Sequence, residues 1–158
     1  MTTKLLLPSK YKTIGWFVLI PATIMGIIIS FTGYDANWFS TKVFALFNDE
    51  TFGKNQFFSF IQTDITNTVA GILFIIGGLL VSFSKEKNED EYISKLRLSS
   101  LLWAVAVSYL LLLLAFIFVY GTAFLNVMIY NMFTVLIIFI TRFNYILYKN
   151  SKTMSDEK

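Results

Sequence analysis

The chain contains no cysteine and no histidine among its 158 residues. Without cysteine there are no disulfides and no thiolate metal ligands, and without histidine the most frequent general base is missing. Ser–His and Cys–His nucleophile pairs are therefore excluded. Charge is scarce too, because 15% of the residues are charged against about 25% in soluble domains. These absences predict a protein that is not an enzyme and has no cofactor and no metal site.

Apolar residues take the place of the missing charge, and 56% of the chain is hydrophobic. A chain of this length cannot bury so many apolar side chains in one core, so lipid is the expected solvent. Three uncharged runs cover 13–34, 65–84 and 98–141. A membrane-spanning helix needs about 20 residues, so the third run is long enough for two, and Gly121 permits a turn between them. The predicted fold is all-α: a single polytopic membrane domain over 1–158, built as a four-transmembrane-helix bundle with spans at 14–32, 65–84, 98–120 and 123–142.

Basic residues predict the orientation of this bundle. Eleven of the 13 Lys and Arg residues lie in three segments on one predicted side: 1–13, 85–97 and 142–158. Lys and Arg accumulate on the cytoplasmic side of a membrane, so both termini are expected in the cytoplasm. The connections are then an outer loop over 33–63, a cytoplasmic loop over 85–97 and a cytoplasmic tail over 143–158. Nucleic-acid binding is not expected, because the basic residues form no continuous run. A cleaved signal peptide is disfavoured, since the first apolar run is too long.

The outer loop contains an amphipathic pattern. Phe39, Val43, Leu46 and Phe47 follow the spacing i, i+4, i+7, i+8. This spacing predicts a helix over 36–47 lying in the membrane interface. Such a helix would serve either as a lid or partner-docking surface, or as a connector that rests on the bilayer or on the bundle.

The cytoplasmic loop carries a predicted helix start. Asn88 and Glu91 have the spacing of a capping pair, and Glu91 can pair with Lys95 one turn later. Since neither Gly nor Pro occurs between 89 and 120, the third helix should begin in the cytoplasm and run unbroken into the membrane. Its first turns offer a candidate docking face made of Tyr92, Ile93 and Leu96. The alternative is a helix extension packed on its own neighbours.

Small residues on the first span point to close helix packing. Ala22, Gly26 and Ser30 recur every four residues, a pattern that lets a second helix approach closely. The partner is either another helix of the same chain or a second copy in a homodimer. Both alternatives remain open from the sequence.

Polar residues in the predicted outer half of the membrane form a second candidate site. Such side chains are costly in lipid unless they are partnered, so they should face inward. One interpretation is interhelical hydrogen bonding, with Asp64 capping the second span. The other is a small polar pocket that opens outward beneath the 36–47 segment. The candidate residues are Asp64, Asn67, Thr68, Asn126, Tyr130 and Asn131.

Two longer patterns resemble those of a known group. They are Leu6-Leu7-Pro8-x-x-Tyr11-Lys12-x-Ile14-Gly15-Trp16 and Asp90-Glu91-x-Ile93-x-x-Leu96-Arg97-x-x-Ser100-Leu101-x-Trp103. Both resemble an uncharacterised family of small four-span bacterial inner-membrane proteins, over nearly the whole chain. Members of that family often lie beside a helix-turn-helix regulator and have no known activity. The resemblance therefore implies the bacterial inner membrane and a sensory or regulatory task, but no catalytic residues.

Two functions remain after these exclusions. The first is a non-enzymatic regulatory, sensory or scaffold protein that acts through the cytoplasmic part of the third helix. The alternative is a small oligomeric transporter or channel that uses the outward-facing polar pocket. The expected partners are the lipid bilayer and either a second copy or another membrane or cytoplasmic protein.

Overall fold

The structure, a computed structural model, describes residues 6–32, 38–48, 56–87 and 89–156. Its elements in chain order are α1 (Lys10–Phe31), β1 (Ser40–Asn48), β2 (Gln56–Asp64), α2 (Thr66–Phe83), α3 (Glu91–Phe118) and α4 (Thr122–Asp156). Within these ranges, four helices are long and apolar enough to cross a membrane. The prediction of a mostly helical chain with four such helices is confirmed, and the two strands are an addition to it.

The third helix begins close to where its sequence predicts. Asp90 is the N-cap, and its Oδ1 accepts a hydrogen bond of 2.8 Å from the backbone N–H of Ile93. The sequence assigned the N-cap to Asn88, and this was wrong because Asp90 is the N-cap. Asn88 itself lies outside the described residues. The predicted pair on the first turn is confirmed, with Lys95 Nζ 2.8 Å from Glu91 Oε1.

The fourth helix continues beyond the predicted end of its span at 142. It runs for 35 residues to Asp156, which corresponds to about 52 Å at 1.5 Å per residue. The reason is that a charged residue ends a membrane span without interrupting the helix, and the residues that disfavour a helix most are Gly and Pro. Neither occurs between 122 and 156, so most of the predicted tail is helical.

The turn between α3 and α4 lies where Gly121 predicts it. The N–H of Val119 still donates to the carbonyl of Ala115 at 2.8 Å, and Gly121 then adopts a φ of +72°. Glycine takes this left-handed conformation without steric cost, which ends the helix. Phe116 and Phe124 meet edge to face across the turn, with ring centroids 4.6 Å apart.

The amphipathic helix predicted over 36–47 is wrong over 40–47, because β1 forms there. β1 pairs antiparallel with β2, which places Phe44 opposite Phe60 and Val43 opposite Ile61. The Phe44 and Phe60 rings lie 5.3 Å apart between centroids. Exposed and half-buried residues alternate along this stretch, as they do in a strand, since exposed Phe44 is followed by half-buried Ala45. β-Branched and aromatic residues fit such a pleated surface.

The chain divides into two compact units. The larger unit consists of Met1–Phe17 with Ile75–Lys158, and the smaller unit consists of Val18–Phe74. In the smaller unit, Ile29 and Ala70 form a buried pair against which Met25 packs.

In the larger unit, α3 packs against α4. The buried residues of α3 recur every fourth position from Leu96 onward, and the three that follow it are small: Ser100, Ala104 and Ser108. This spacing allows two helices to approach closely. The largest side chain that is almost fully buried is that of Phe143 on α4.

Candidate functional site

Five side chains in the larger unit form a connected set that we call the ionic cluster: Lys12, Glu86, Glu89, Arg97 and Asn144. Lys12 Nζ forms an ion pair with Glu86 and donates to Asn144 Oδ1 at 3.1 Å. Arg97 Nη2 lies 3.1 Å from Glu89 Oε2. The two ion pairs are joined because the backbone N–H of Glu86 donates to Glu89 Oε2 at 2.8 Å. Residues separated by more than a hundred positions therefore meet at one place.

These ion pairs are mostly shielded from water. The side chains of Arg97 and Glu89 are only 12% and 18% exposed, whereas the Lys95–Glu91 pair on the same helix is 76% and 83% exposed. Exposed pairs contribute little to stability, while removing one member of a shielded pair leaves an uncompensated charge. The ionic cluster is therefore the place where charge matters most for the fold of this unit.

Backbone pairing brings the start of the chain to the cluster. The N–H of Leu7 donates to the carbonyl of Phe83, and the N–H of Lys85 donates to the carbonyl of Leu7, both at 2.8 Å. This short parallel bridge holds the residues before α1 beside the end of α2. Arg97 Nη2 adds a third bond, to the carbonyl of Ser84 at 3.1 Å. The entry to α1 and the exit from α2 are thus fixed to α3.

An aromatic ring lies beneath both cations of the cluster. The Arg97 guanidinium is 5.2 Å from the Phe143 ring centroid, and Lys12 Nζ is 5.9 Å from it. Such cation–π contacts strengthen when water is excluded. Within the described part of the chain, Arg97 Nε and Nη1 and Glu89 Oε1 are buried without a hydrogen-bond partner. The cluster therefore relies on charge compensation more than on complete hydrogen bonding.

Beside the ionic cluster lies an open cavity of about 700 Å³ that we call the basic groove. Its charged lining comprises Lys10, Lys12, Lys85 and Lys87 with Glu86 as the acid. Apolar and aromatic side chains complete the wall, among them Trp16, Ile93, Leu147 and Tyr148. The groove thus combines excess positive charge with a partly apolar surface.

In the smaller unit, the buried Thr66 connects the hairpin to α2, and we call this contact the Thr66 junction. Thr66 Oγ1 donates to Asp64 Oδ1 and accepts from the N–H groups of Trp38 and Phe39 at 3.1 and 3.2 Å. The backbone N–H of Thr66 also donates to Asp64 Oδ1, at 2.6 Å. Ile65 completes the contact by donating its N–H to the carbonyl of Phe39 at 3.0 Å. Every donor and acceptor of the Thr66 hydroxyl is therefore used.

These bonds change the acidity of Asp64. The hydrogen bond from the Thr66 hydroxyl, and then that from the Thr66 N–H, lower the pKa of Asp64 from its ordinary value of 3.8. Hydrogen bonds to a carboxylate favour its charged form. Asp64 therefore keeps its charge to a lower pH than an ordinary carboxyl group, and its Oδ1 accepts the first backbone N–H of α2.

The predicted polar residues are divided between the two units. Asn67 and Thr68 are exposed in the smaller unit, and Asn126 and Tyr130 are exposed in the larger one. Asn131 Nδ2 donates to the carbonyl and to Oγ of Ser108, both at 3.2 Å. The structure therefore joins Asp64 to Thr66, and Asn131 to Ser108, by contacts within one unit. Asn131 links α4 to α3.

The predicted packing stripe on α1 is occupied only in part. Ala22 is buried, but a Cβ atom added at Gly26 would meet nothing within 4 Å, and Ser30 is exposed. Close approach occurs instead at Gly15, where an added Cβ would lie 2.8 Å from the backbone N of Val81. The sequence pattern thus misses the glycine that lets α1 and α2 touch in the larger unit.

The predicted docking face on α3 does not form one exposed surface. Tyr92 is exposed, and its hydroxyl accepts a hydrogen bond from Asn150 of α4. Ile93 is half-buried in the wall of the basic groove, and Leu96 is buried. Leu96 is therefore unavailable to a partner, while Tyr92 remains accessible.

Sequence reasoning used Lys12, Arg97 and their neighbours only as topology signals and missed the cluster that they form. One signal points to it: Glu86 and Glu89 are two of four acids that share the 85–97 loop with four basic residues. Acids placed among lysines and arginines are candidates for tertiary ion pairs. No sequence spacing, however, links Lys12 to Asn144.

Comparison of the chain with family models, with curated proteins and with solved structures gave no match. The site must therefore be interpreted from its own geometry.

Proposed function

We propose that the chain is a multi-pass protein of the bacterial inner membrane with both termini in the cytoplasm, and that it acts as a non-enzymatic regulatory or scaffold protein. Its cytoplasmic end would carry this task. The observation that supports it most is the ionic cluster, which joins the start of α1, the α2–α3 connection, α3 and α4 in one shielded network. Such a network would couple the position of one of these helices to the positions of the others.

The membrane part of the proposal rests on an apolar exterior. Phe17 on α1 is 83% exposed, and Leu102 and Phe118 on α3 are exposed as well. Large contiguous apolar surfaces are rare on soluble monomers. Lipid satisfies these side chains, and the four long apolar helices have the length that a bilayer requires.

The regulatory part rests on helix extensions next to the cluster. α4 continues for 14 residues past Arg142 to Asp156, and α3 starts at Glu91, six residues before Arg97. Tyr92 is accessible on this extension. The alternative, a small oligomeric transporter or channel, needs an outer polar pocket, and Asp64 and Asn131 are both engaged in hydrogen bonds within their own units.

The orientation is tested by cysteine labelling, for which a chain without native cysteine has no background. Lys42→Cys and Lys152→Cys replace two exposed lysines. A membrane-impermeant maleimide should label Lys42→Cys in intact spheroplasts and Lys152→Cys only after permeabilisation. Labelling of both variants, or of Lys152→Cys alone, in intact spheroplasts would refute the proposed topology.

The scaffold task is tested by site-specific photocrosslinking in cells. A benzophenone amino acid at Tyr92 should give a discrete crosslinked species, either with a second copy or with a cytoplasmic protein. Tyr109, exposed on the apolar part of α3, is the matched control and should crosslink to lipid. Equal crosslinking patterns at both positions would remove the scaffold proposal and leave the transporter alternative, for which flux through reconstituted liposomes is the measurement.

A further inference from the structure

The basic groove holds more positive charge than its own acid neutralises. Its single acidic lining residue, Glu86, is already paired with Lys12. Among the ion pairs of the described residues, none joins Lys10, Lys85 or Lys87 to a carboxylate. Ammonium groups that share a groove repel one another and raise the local concentration of anions. The groove is therefore suited to a negatively charged ligand.

The size and lining of the groove narrow the choice of ligand. About 700 Å³ lies within the range of small-molecule sites and far exceeds what an inorganic phosphate ion fills. Trp16, Leu147 and Tyr148 contribute apolar and aromatic surface beside the lysines. Tryptophan and tyrosine favour the depth of lipid headgroups. The combination fits a molecule with an anionic head and an apolar stem.

The walls of the groove are held in place by contacts that need no ligand. Lys12 is fixed by Glu86 and Asn144, and the backbone of Lys85 is fixed by its bond to Leu7. Since these groups are ordered beforehand, binding would not have to order them. The exposed ends of Lys10 and Lys87 remain available to the ligand.

We infer that the basic groove binds the phosphate headgroup of an anionic phospholipid from the cytoplasmic leaflet, with Lys10, Lys85 and Lys87 as the headgroup contacts. This inference rests on the proposed membrane orientation, which places the groove at the level of the inner headgroups. Basic pockets between helices on the cytoplasmic side are the usual setting for such lipids. The bound lipid would bridge α1, the α2–α3 connection and α4, and so couple the cluster to membrane composition.

The test uses the full chain with Trp38→Phe and Trp103→Phe, so that Trp16 in the groove wall is the remaining tryptophan. The protein is reconstituted in phosphatidylcholine nanodiscs that contain increasing fractions of brominated phosphatidylglycerol or brominated phosphatidylcholine. Phosphatidylglycerol should quench Trp16 fluorescence at a much lower mole fraction than phosphatidylcholine does. Equal quenching by both lipids would overturn the inference.

A charge-matched pair of variants separates the groove from general attraction to an anionic surface. Lys85→Gln with Lys87→Gln should weaken the phosphatidylglycerol preference at least tenfold, since each lysine close to the headgroup contributes about fivefold. Lys95→Gln with Lys152→Gln removes the same charge outside the groove and should change the preference less than threefold. An equal loss in both pairs would contradict a specific site. All four lysines are exposed, so unchanged melting temperatures are expected.

Competition with inorganic phosphate distinguishes a lipid headgroup from free phosphate as the anion bound in the groove. Phosphate at millimolar concentration should not displace brominated phosphatidylglycerol from Trp16. Displacement at that concentration would assign the groove to free phosphate and overturn the lipid assignment. Both faces of a nanodisc are open to the maleimide, so the orientation is measured separately by labelling Lys42→Cys and Lys152→Cys in intact and permeabilised spheroplasts. Failure of the lipid site and failure of the topology are therefore distinguishable.

Discussion

The ionic cluster and the Thr66 junction both fix chain segments to helix ends, but they do so by different means. In the ionic cluster, charged side chains that are distant in the sequence compensate one another, and Arg97 and Glu89 retain buried atoms without partners in the described residues. In the Thr66 junction, one neutral hydroxyl satisfies a neighbouring carboxylate and two backbone N–H groups. Removing one charged side chain breaks the ionic cluster, whereas removing the hydroxyl oxygen of Thr66 alone breaks the Thr66 junction.

The largest expected effect comes from breaking the ionic cluster at Arg97. Arg97→Met leaves the shielded Glu89 carboxylate uncompensated, so the free energy of unfolding should fall by about 3–5 kcal/mol. Lys95→Met breaks an exposed pair two residues away and should cost no more than about 0.5 kcal/mol. Unfolding titrations in mixed micelles measure both. Similar losses in the two variants would show that shielding is unimportant here.

The next effect tests the Thr66 junction. Thr66→Val keeps the side-chain shape but leaves the N–H groups of Trp38 and Phe39 and the Asp64 carboxylate without this partner. The free energy of unfolding should fall by about 2–4 kcal/mol, at about 1–2 kcal/mol, the lower part of the usual range, for each of the two orphaned N–H groups. Thr68→Val, at an exposed position one half-turn later, should change it by less than about 0.5 kcal/mol. If Thr68→Val were as costly as Thr66→Val, the junction would not be the cause.

A smaller effect distinguishes helix packing in the two units. Gly15→Ala places a methyl group against the backbone of Val81 and should destabilise the larger unit by about 1–3 kcal/mol. Gly26→Ala in the smaller unit meets open space, so its effect should be neutral or slightly stabilising. Thermal unfolding in detergent compares the two variants. A destabilising Gly26→Ala would indicate that a second copy packs on that face.

The smallest effect is the acid dependence of the Thr66 junction. Because the folded state lowers the pKa of Asp64 below 3.8, its stabilising contribution is present in full above that pH and is lost as the pH falls through the lower, folded pKa. The stability difference between the wild type and Asp64→Asn should therefore be constant at neutral pH and shrink below about pH 4. A stability difference that grows as the pH falls would show that folding raises the pKa of Asp64 instead of lowering it.

The helices could be predicted because their signals are local. The uncharged run 65–84 becomes α2 (Thr66–Phe83), and Gly121 ends α3 by its own backbone freedom. The length of α4 was underestimated because the end of a membrane span was equated with the end of a helix. In α4 the charged residues after Arg142 do not interrupt the helix, and neither Gly nor Pro follows them before Asp156.

The hairpin could not be predicted from the same local signals. A short apolar stretch such as 39–47 satisfies both a helical and an alternating pattern, and only its pairing with the residues around Phe60 decides between them. Thr66 was overlooked in favour of Thr68 because both lie near the start of the span. The spacing of Asp64 and Thr66, an acid two residues before a hydroxyl at a helix start, is the signal that distinguishes them.

The ionic cluster lies beyond local reasoning for a different reason. Its members come from four separate segments, and only the packing of α1, α2, α3 and α4 brings Lys12 to Asn144. The basic residues predicted the orientation of the chain, which stays a prediction. They did not indicate which of them would be buried.

The hydrogen bonds between Leu7 and the end of α2 also have a consequence for biosynthesis. The ribosome completes Leu7 long before Lys85, so the amide and carbonyl of Leu7 lack these partners until the second helix has emerged. Lys12 lacks its partner Asn144 for longer still, because Asn144 belongs to α4. The ionic cluster is therefore complete only after α4 has been synthesised. A nascent chain stopped before α4 would contain both ion pairs but lack the Asn144 amide and the Phe143 ring, so the Lys12 and Arg97 cations would be without the contacts that α4 supplies.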